Sequence, residues 1–380
     1  MRIFFDARVL NREHHSGIFE YARFLLTKIL KKNPNHDYSV FVNSFRSSSF
    51  AEKMFGNLKN VSLVNYHFPN RIFDFLNFAF SSPKIDSLVR ADIFYSPHLD
   101  IMSFKNPVKH ILTVHDLSFI HHPDFFSLQR QFWHLRQNYE KQIKEAGCVI
   151  TPSYFTAEDI AANFHISPDK IKTIYSGVNP AYKVLSVDNS ELIAFKWRSK
   201  INDPFLLYTG ALEPRKNITG IIKAFNILKR KAVFNDLKLV IVGPKGWLYN
   251  NIFREASASP WKHSINFWGE APENEMLYLY NLASVFIYPS FFEGFGFPPL
   301  EAQACGLPVV SSNRSSIPEI LGDSALLADP WRINELALGI EAVLTDSSLR
   351  KILREKGLEN IKRFKWEYTA QKLTKVFENL

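Results

Sequence analysis

What this sequence lacks narrows it first. No apolar run approaches the roughly 20 residues that a membrane-spanning helix needs. The opening MRIFFDARVL does not read as a secretory leader, because its apolar run is short and Asp6 and Arg8 interrupt it. The expected compartment is the cytoplasm. Cysteine is scarce: Cys148 and Cys305 sit in small or apolar surroundings (EAGCVI, AQACGLP) and read as reduced packing residues. No cysteine or histidine spacing fits a zinc site, and no Asp-x-Asp pair is present to hold a divalent cation. The Gly-x-Gly-x-x-Gly fingerprint is absent, which disfavours a nicotinamide dehydrogenase. Helix-turn-helix, zinc-finger and RNP signatures are absent too, so nucleic acid is not an expected partner. There is no internal repeat or low-complexity tract.

What is present points to a large α/β protein. At 380 residues the chain is too long for one ordinary core, so two domains are expected. The 34 phenylalanines are more than function could use, and most should be core. The net charge of +9 is spread rather than blocked into a tail. It favours acidic partners such as phosphorylated substrates or an anionic membrane.

Apolar, β-rich runs alternate with helical periodicity. RIFFDARVL, YSVFVN, VSLVNY, ADIFYS, HILTVHD, GCVITPS and IKTIYSG read as buried strands in the first half. FEYARFLLTKILKK and Leu128 to Lys144 read as helices between them. In the second half the strands are FLLYTG, LKLVIVG, INFWG, SVFIYPS and LPVVSS. The helices there are ITGIIKAFNILKRK, EMLYLYNLA and PLEAQACG. Such alternation predicts parallel sheets with helices on both faces, hence doubly wound, Rossmann-like domains. The stretch 180–203 shows no clear strand and ends in Asn-Asp-Pro, a turn signal, so it is the expected boundary. The organisation is then domain 1–185, domain 200–363, and an amphipathic closing helix at 364–380 packing back towards the first domain.

Ligands of such sheets bind outside the carboxyl ends of the strands, so the residues just after strands matter most. SVFIYPS runs into FFEGFGFPPLEAQACG. Pro298 and Pro299 open a helix, where proline is tolerated because the first N–H groups have no partner. That helix start suits an anion, and the glycines let backbone approach it. Glu301, expected in the first helical turn, could accept hydrogen bonds from ribose hydroxyls or simply cap the dipole. Glu293 lies one loop earlier, better placed for a group beyond the phosphate. In TGALEPRKN, Arg215 and Lys216 fall near a helix start, where cations oppose the dipole. They make sense as neutralisers of a diphosphate, although a solvated basic turn is the ordinary alternative. His115 and Asp116 follow HILTV, where a histidine can bond a substrate hydroxyl or shuttle a proton, and where a lone histidine is more often structural. His121 and His122 read as loop residues. Gly17 opens the first helix in HHSGIFEYARFL.

Taken together, these stretches resemble the family 4 glycosyltransferases, which have the GT-B fold. EGFGFPPLEAQACGLPVV resembles their E-x7-E segment. GALEPRKN, VHDL, SGIFEYA, VGPKGW and YPSFFEGFG match in the right order over nearly the whole chain. HDLSFIHHP and LEPRKN look most like bacterial mannosyltransferases of O-antigen and exopolysaccharide assembly. The resemblance implies two Rossmann-like domains facing across a cleft, the first binding acceptor and the second nucleotide sugar. It implies Glu293 at the donor-sugar hydroxyls, Glu301 at the ribose, and Arg215 and Lys216 at the diphosphate. Backbone around Gly294, Phe295, Gly296, Phe297 and Leu300 would cradle phosphate, while Pro298 and Pro299 cannot donate. His115 would contact the donor sugar. Gly17 and Asp116 would border the phosphates or acceptor, and Gly210, Gly243 and the stretch Phe267-Trp268-Gly269 would lie near the diphosphate and base. Many relatives carry arginine after the strand glycine, where this chain has Ala211. Arg215 would replace that charge.

The chemistry implied is retaining transfer of a hexose from a nucleotide sugar, most simply mannose from GDP-mannose, to a saccharide or lipid-linked saccharide. The alternatives are a hexosyltransferase using a UDP- or ADP-sugar, a GT-B phosphorylase or epimerase, or a non-catalytic nucleotide-sugar-binding subunit. With no Asp-x-Asp motif, Arg215, Lys216 and a helix start would carry the leaving diphosphate, so no metal or other cofactor is expected. The stretches RIFDFLNFAF (71–80) and DFFSLQRQFWHLR (124–136) mix aromatics with basic residues. They are candidates for peripheral contact with the inner face of the membrane, buried core being the ordinary alternative.

Overall fold

A computed structural model describes residues 1–11, 16–43, 53–67 and 69–380. His14 and His15 of the first helix-opening stretch lie outside the described residues. The chain divides into two compact units. The first comprises Met1–His121, Leu128–Gly177 and Lys365–Leu380; the second comprises His122–Ser127 and Val178–Phe364.

The first unit is built on seven parallel strands: β1 (Arg2–Asp6), β2 (Asp37–Phe41), β3 (Val61–Val64), β4 (Ile93–Ser96), β5 (His110–Thr113), β6 (Cys148–Thr151) and β7 (Ile171–Thr173). Their order is β3-β2-β1-β4-β5-β6-β7. Each falls on one of the seven apolar runs read from the sequence. Every residue of β4, β5 and β6 is buried. These strands show no polar alternation because helices cover both faces of a parallel sheet. The helix Gly17–Lys32 starts on Ser16, whose hydroxyl accepts the Phe19 N–H at 3.2 Å, and ends on Lys31 and Lys32, which suit the negative end of the dipole. Its apolar stripe of Phe19, Ala22, Leu26 and Ile29 is buried. The last helix, Trp366–Asn379, packs against it. Trp366 stacks on Phe24 at 5.4 Å, and Lys28 pairs with Glu367 at 2.5 Å. Gly177 is required at this joint, since a Cβ there would lie 2.3 Å from the Trp366 nitrogen.

The second unit carries six parallel strands: β8 (Phe205–Thr209), β9 (Lys238–Val242), β10 (Ile265–Gly269), β11 (Val285–Tyr288), β12 (Val309–Ser312) and β13 (Leu326–Ala328). The order β10-β9-β8-β11-β12-β13 repeats the first sheet's winding. In both sheets the winding direction reverses once: between β1 and β4, and between β8 and β11. Doubly wound sheets open a crevice at that reversal, at the strands' carboxyl ends.

Two sequence expectations are corrected, and one segment holds a helix that was not read from the sequence. The helix expected from Leu128 to Lys144 is two, Leu128–Arg136 and Tyr139–Glu145, because Asn138 is left-handed (φ 48°) and a left-handed residue ends a helix. The segment 180–203 contains a helix, Ser190–Ser199, capped by the Asn189 side chain, which accepts the Leu192 N–H at 2.9 Å. The second sheet has a sixth strand, β13, too short at three residues to stand out in the sequence.

Candidate active site

The reversal of the second sheet gathers charge. The loop after β8 carries Glu213, Arg215 and Lys216; the loop after β11 carries Glu293. All four side chains meet. Arg215 Nη1 donates to Glu293 Oε2 at 3.0 Å and to the Phe292 carbonyl at 2.8 Å. Its Nε and Nη2 both donate to Glu213 Oε1, at 3.1 and 2.8 Å. Lys216 Nζ donates to Glu293 Oε1 at 2.6 Å and to the Tyr288 hydroxyl at 2.7 Å, using two of its three hydrogens. Glu213, Lys216 and Glu293 are all buried.

Electrostatics follow from that geometry. Burial alone would push the Glu293 carboxyl up, but Arg215 and Lys216 outweigh it and hold it down at about 2. Burial and the adjacent Arg215 draw the Lys216 ammonium below its ordinary range, against the pull of Glu293 and Glu213. Two carboxylates and two cations leave the group neutral overall. Glu293 is therefore a fixed carboxylate that anchors cations, unsuited to taking protons near neutrality. Glu213 and Tyr288 were not singled out in the sequence. A carboxylate two residues before Arg215, and a tyrosine closing SVFIY, are the signals that were there to use.

Beside this group the strand ends are pressed together. Gly210 and Gly243 have φ of 140° and 141°, and a Cβ on Gly243 would lie 2.1 Å from the Gly210 carbonyl oxygen. Any other residue would be strained at either position. The Leu212 N–H donates to the Pro244 carbonyl at 2.9 Å, and the Gly246 N–H to the Leu212 carbonyl at 3.1 Å. Next to this seam lies a cavity of about 310 Å³, lined by Ile241, Gly243, Lys245, Phe253, Phe267 and Gly269 among others. Phe253 and Phe267 stack at 4.5 Å, and Lys245 lies 5.4 Å from the Phe253 ring. Trp268 is not among the lining residues. It packs against Phe195, because successive strand residues face opposite sides.

The glycine-rich loop is pinned at Glu293, where it begins. The Glu293 N–H donates to Ser315 Oγ at 2.8 Å, and Ser316 Oγ donates to the Glu293 carbonyl at 2.8 Å. Gly296 (φ 102°) leads into the helix Phe297–Ala304. That helix starts one residue before Pro298, so Glu301 opens its second turn rather than sitting in the first. Phe295 is core, edge-on to Phe297 at 5.1 Å and to Phe364 at 5.6 Å. Gly294 is buried, and Leu300 is core. The Tyr280 hydroxyl donates to Glu301 Oε2 at 2.9 Å and so accepts from Thr209 Oγ1 at 2.8 Å.

In the first unit, His115 follows β5. Its Nε2 bonds the Pro97 carbonyl at 2.8 Å, and only a protonated nitrogen can do so. Burial lowers its proton affinity, so the ring is neutral with Nδ1 as its acceptor. Tyr21 packs edge-on against it at 4.8 Å. Asp116 acts locally. Its Oδ1 accepts the Ser118 N–H at 2.9 Å and the Ser118 hydroxyl at 2.6 Å, starting the short helix Ser118–His121. Gly17 is the exposed first residue of its helix.

Comparison with known proteins decides the family. Residues 21–182 match Glycosyltransferase Family 4, and residues 189–360 match Glycosyl transferases group 1. The O-antigen chain mannosyltransferase B of Escherichia coli is 31% identical over 282 residues, 74% of this chain and 71% of that one. The chain is a glycosyltransferase of this family. The serotype-specific mannosyltransferase WbdA of Escherichia coli is 26% identical over 293 residues, which span 76% of this chain but only 36% of the relative. The crystal structure of HepE from Anabaena with UDP and glucose aligns over 100% of both chains with a TM-score of 0.75 at 18% identity. The two Rossmann-like sheets are those of the GT-B glycosyltransferases.

Proposed function

We propose that this glycosyltransferase moves mannose from GDP-mannose, with retention at the anomeric carbon, to a saccharide or lipid-linked saccharide acceptor in lipopolysaccharide assembly. The observation that carries the reading is the Glu213–Arg215–Lys216–Glu293 group at the sheet reversal, with Leu212, one residue before it, lining a cavity of about 310 Å³. Glycosyl transfer builds negative charge on the departing diphosphate, and preorganised cations stabilise it most when already dry and oriented. Lys216 has one hydrogen beyond its two bonds for a phosphate oxygen, and Arg215 is aimed by Glu213. Together they would offset the leaving group without a metal. Glu293, held ionised, would accept from sugar hydroxyls rather than attack the sugar. Retention would then arise from reaction on one face, with the leaving phosphate taking the acceptor proton. Glu301 would take the ribose hydroxyls, and the aromatic cavity the base. The loop from Gly294 to Phe297 would take phosphate. In the first unit, the acceptor nitrogen of His115 suits a sugar hydroxyl. The mannosyltransferase reading is supported by the names of the two Escherichia coli relatives.

Thermal stabilisation across GDP, UDP, ADP and their sugars, with EDTA present, tests this. Selective stabilisation by GDP and GDP-mannose is expected, since ligand binding raises stability by mass action. A preference for UDP- or ADP-sugars would move the chain to the alternative hexosyltransferase reading. No stabilisation of folded protein by any nucleotide would overturn the proposal.

A lipid-linked acceptor gains support from one face of the first unit. On the helices Asn70–Phe80 and Leu128–Arg136, the side chains of Phe75, Phe78, Phe80, Phe132 and Leu135 are exposed. Arg136 lies 5.7, 5.2 and 5.9 Å from the rings of Phe75, Phe78 and Phe132, joining the two helices. The two helices carry three arginines and a single acid, Asp74, which pairs with Arg8 at 3.4 Å. An apolar face bearing Arg136, with its one acid paired to Arg8, complements an anionic bilayer. No helix among the described residues is long and apolar enough to cross one. Vesicles with and without anionic lipid should separate: binding only to the anionic set is expected. Equal absence of binding to both would refute the contact.

A further inference from the structure

The segment His122–Ser127 comes from the first half of the chain, and the residues on either side of it belong to the first unit, yet it packs with the second. A short 3₁₀ turn, Pro123–Phe125, presents its aromatic side chains. Phe125 stacks on Phe291 at 5.4 Å, and Phe291 lies 4.1 Å from Trp331. The His122 ring meets Phe292 edge-on at 5.7 Å and stacks on Phe125 at 4.8 Å. Phe126 stacks on Trp247 at 5.5 Å, and Trp247 Nε1 donates to the Phe125 carbonyl.

These partners are not arbitrary core. Phe291 and Phe292 directly precede Glu293. The Phe291 N–H donates to the Arg215 carbonyl at 2.9 Å, and the Phe292 carbonyl accepts from the Arg215 guanidinium at 2.8 Å. Trp247 ends the loop Pro244–Trp247, which borders the cavity through Pro244 and Lys245 and is bonded to Leu212 just before Glu213. One strap thus holds the two loops that aim Arg215 and border the cavity.

We propose that His122–Ser127 is a positioning strap for the donor site, with Phe125 and Phe126 as its positioning residues. A ring wedged against Phe291 fixes the carbonyl of Phe292, and that carbonyl fixes one arm of Arg215. Small displacements of such groups cost rate rather than fold, because misplacement by about 1 Å can lose roughly a hundredfold. Met1–His121 contains no other residue counted with the second unit, so this strap is that unit's only described part drawn from ahead of Val178.

The inference rests on the donor-site assignment above. It is tested in the full chain by steady-state turnover of the nucleotide sugar, with the apo melting temperature measured alongside. Wild-type turnover tests the assignment itself; the ratio of variant to wild type tests the strap. Phe125→Ala should lower kcat roughly tenfold to a hundredfold at a temperature where the variant is fully folded. Phe125→Tyr, which keeps the ring, should restore most of it. Trp247→Phe, which keeps the stack but removes the N–H donor, should fall between them and serves if Phe125→Ala does not fold. An unchanged kcat in Phe125→Ala, or in Trp247→Phe where it must stand in, would overturn the strap. So would losses that follow melting temperature alone, with Phe125→Tyr no better than alanine.

Discussion

Each sheet places a buried cation at its reversal, and the two are used differently. In the first unit, Arg8 follows β1 and commits its guanidinium to the protein. Nε and Nη2 grip Asp6 at 2.9 and 2.7 Å, Nη1 reaches Asp74 at 3.4 Å, and the plane lies 5.0 Å from Phe73. In the second unit, Lys216 and Arg215 follow β8. They are matched by Glu213 and Glu293, but Lys216 retains a hydrogen, and Leu212, one residue before Glu213, lines a cavity. The same winding therefore yields a closed ionic knot in one unit and an open one in the other. On the proposed function, the open one is where a ligand's phosphate would replace a protein carboxylate's company.

The largest effects should come from breaking each knot in turn. Lys216→Ala should lower turnover of the nucleotide sugar roughly a hundred- to thousandfold, the range lost with one preorganised electrostatic group. It should also weaken nucleotide-induced thermal stabilisation. Arg8→Met should do the opposite. It strands Asp6 without its partner, and removing one member of a buried pair costs about 3–5 kcal/mol. Its melting temperature should drop while the nucleotide-dependent shift of any folded protein remains. Equal behaviour of the two variants in both assays would erase the distinction.

Backbone geometry offers the next contrast, inside the second unit. Gly243→Ala drives a Cβ to 2.1 Å from the Gly210 carbonyl at a φ of 141°, so strands β8 and β9 must part. A cost of about 3 kcal/mol or more is expected. Gly269 also has positive φ, 81°, but a Cβ there meets nothing within 4 Å. Gly269→Ala should cost only about 1 kcal/mol, the strain of the conformation alone. Urea melts of both variants measure this directly.

Much of this was legible in the sequence, for identifiable reasons. Buried parallel strands leave continuous apolar runs, so all seven strands of the first sheet and five of the second stood out. β13 did not, because LLA is too short a run to carry a pattern. Arg215, Lys216, Glu293 and Glu301 were legible because ligands of such sheets bind outside the strands' carboxyl ends, where these charges fall. That the first three form one ionic group was not legible. It depends on loops 77 and 78 residues apart converging, which no local pattern encodes. Within the stretch Phe267-Trp268-Gly269, Phe267 and Gly269 line the cavity and Trp268 packs against Phe195, a division the sequence alone does not make. His122 looked like an ordinary loop residue because its ring contacts lie across the chain.

Acid should separate the units. His110 and His134 in the first unit are held down to about 4, chiefly by burial. Below the ordinary histidine range of about 6.5 the unfolded chain binds protons that these folded rings refuse, so stability falls with pH between about 6.5 and 4. In the second unit Glu293 is held at about 2. Its folded carboxylate refuses protons that the unfolded chain takes up near 4.5, so its contribution is lost only between about 4.5 and 2. Hydrogen exchange at pH 5 should show protection lost from the strands of the first unit before those of the second. Glu293→Gln should lessen the second unit's loss below pH 4.5, to which Asp188, Asp323 and Asp329 also contribute, and leave the first unit's profile alone.

The smallest effects should come from two hydroxyl chains that end differently. In the first unit the Tyr95 hydroxyl bonds Thr113 Oγ1 at 2.8 Å and the Tyr21 hydroxyl at 3.0 Å, a chain closed among neutral groups. In the second, Thr209 donates to Tyr280, and Tyr280 to the half-buried carboxylate of Glu301. Each tyrosine-to-phenylalanine change should cost about 1 kcal/mol, the net worth of one hydrogen bond. Tyr95→Phe should stop there, because Tyr21 and Thr113 already lie 3.4 Å apart and can pair. Tyr280→Phe also releases Glu301 from its guide. If that carboxylate takes the ribose, the KM for donor should rise severalfold while kcat holds, since an interaction made equally in ground and transition states is what was loosened. A fall in kcat with KM unchanged would instead move Glu301 from holding the nucleotide to stabilising its departure.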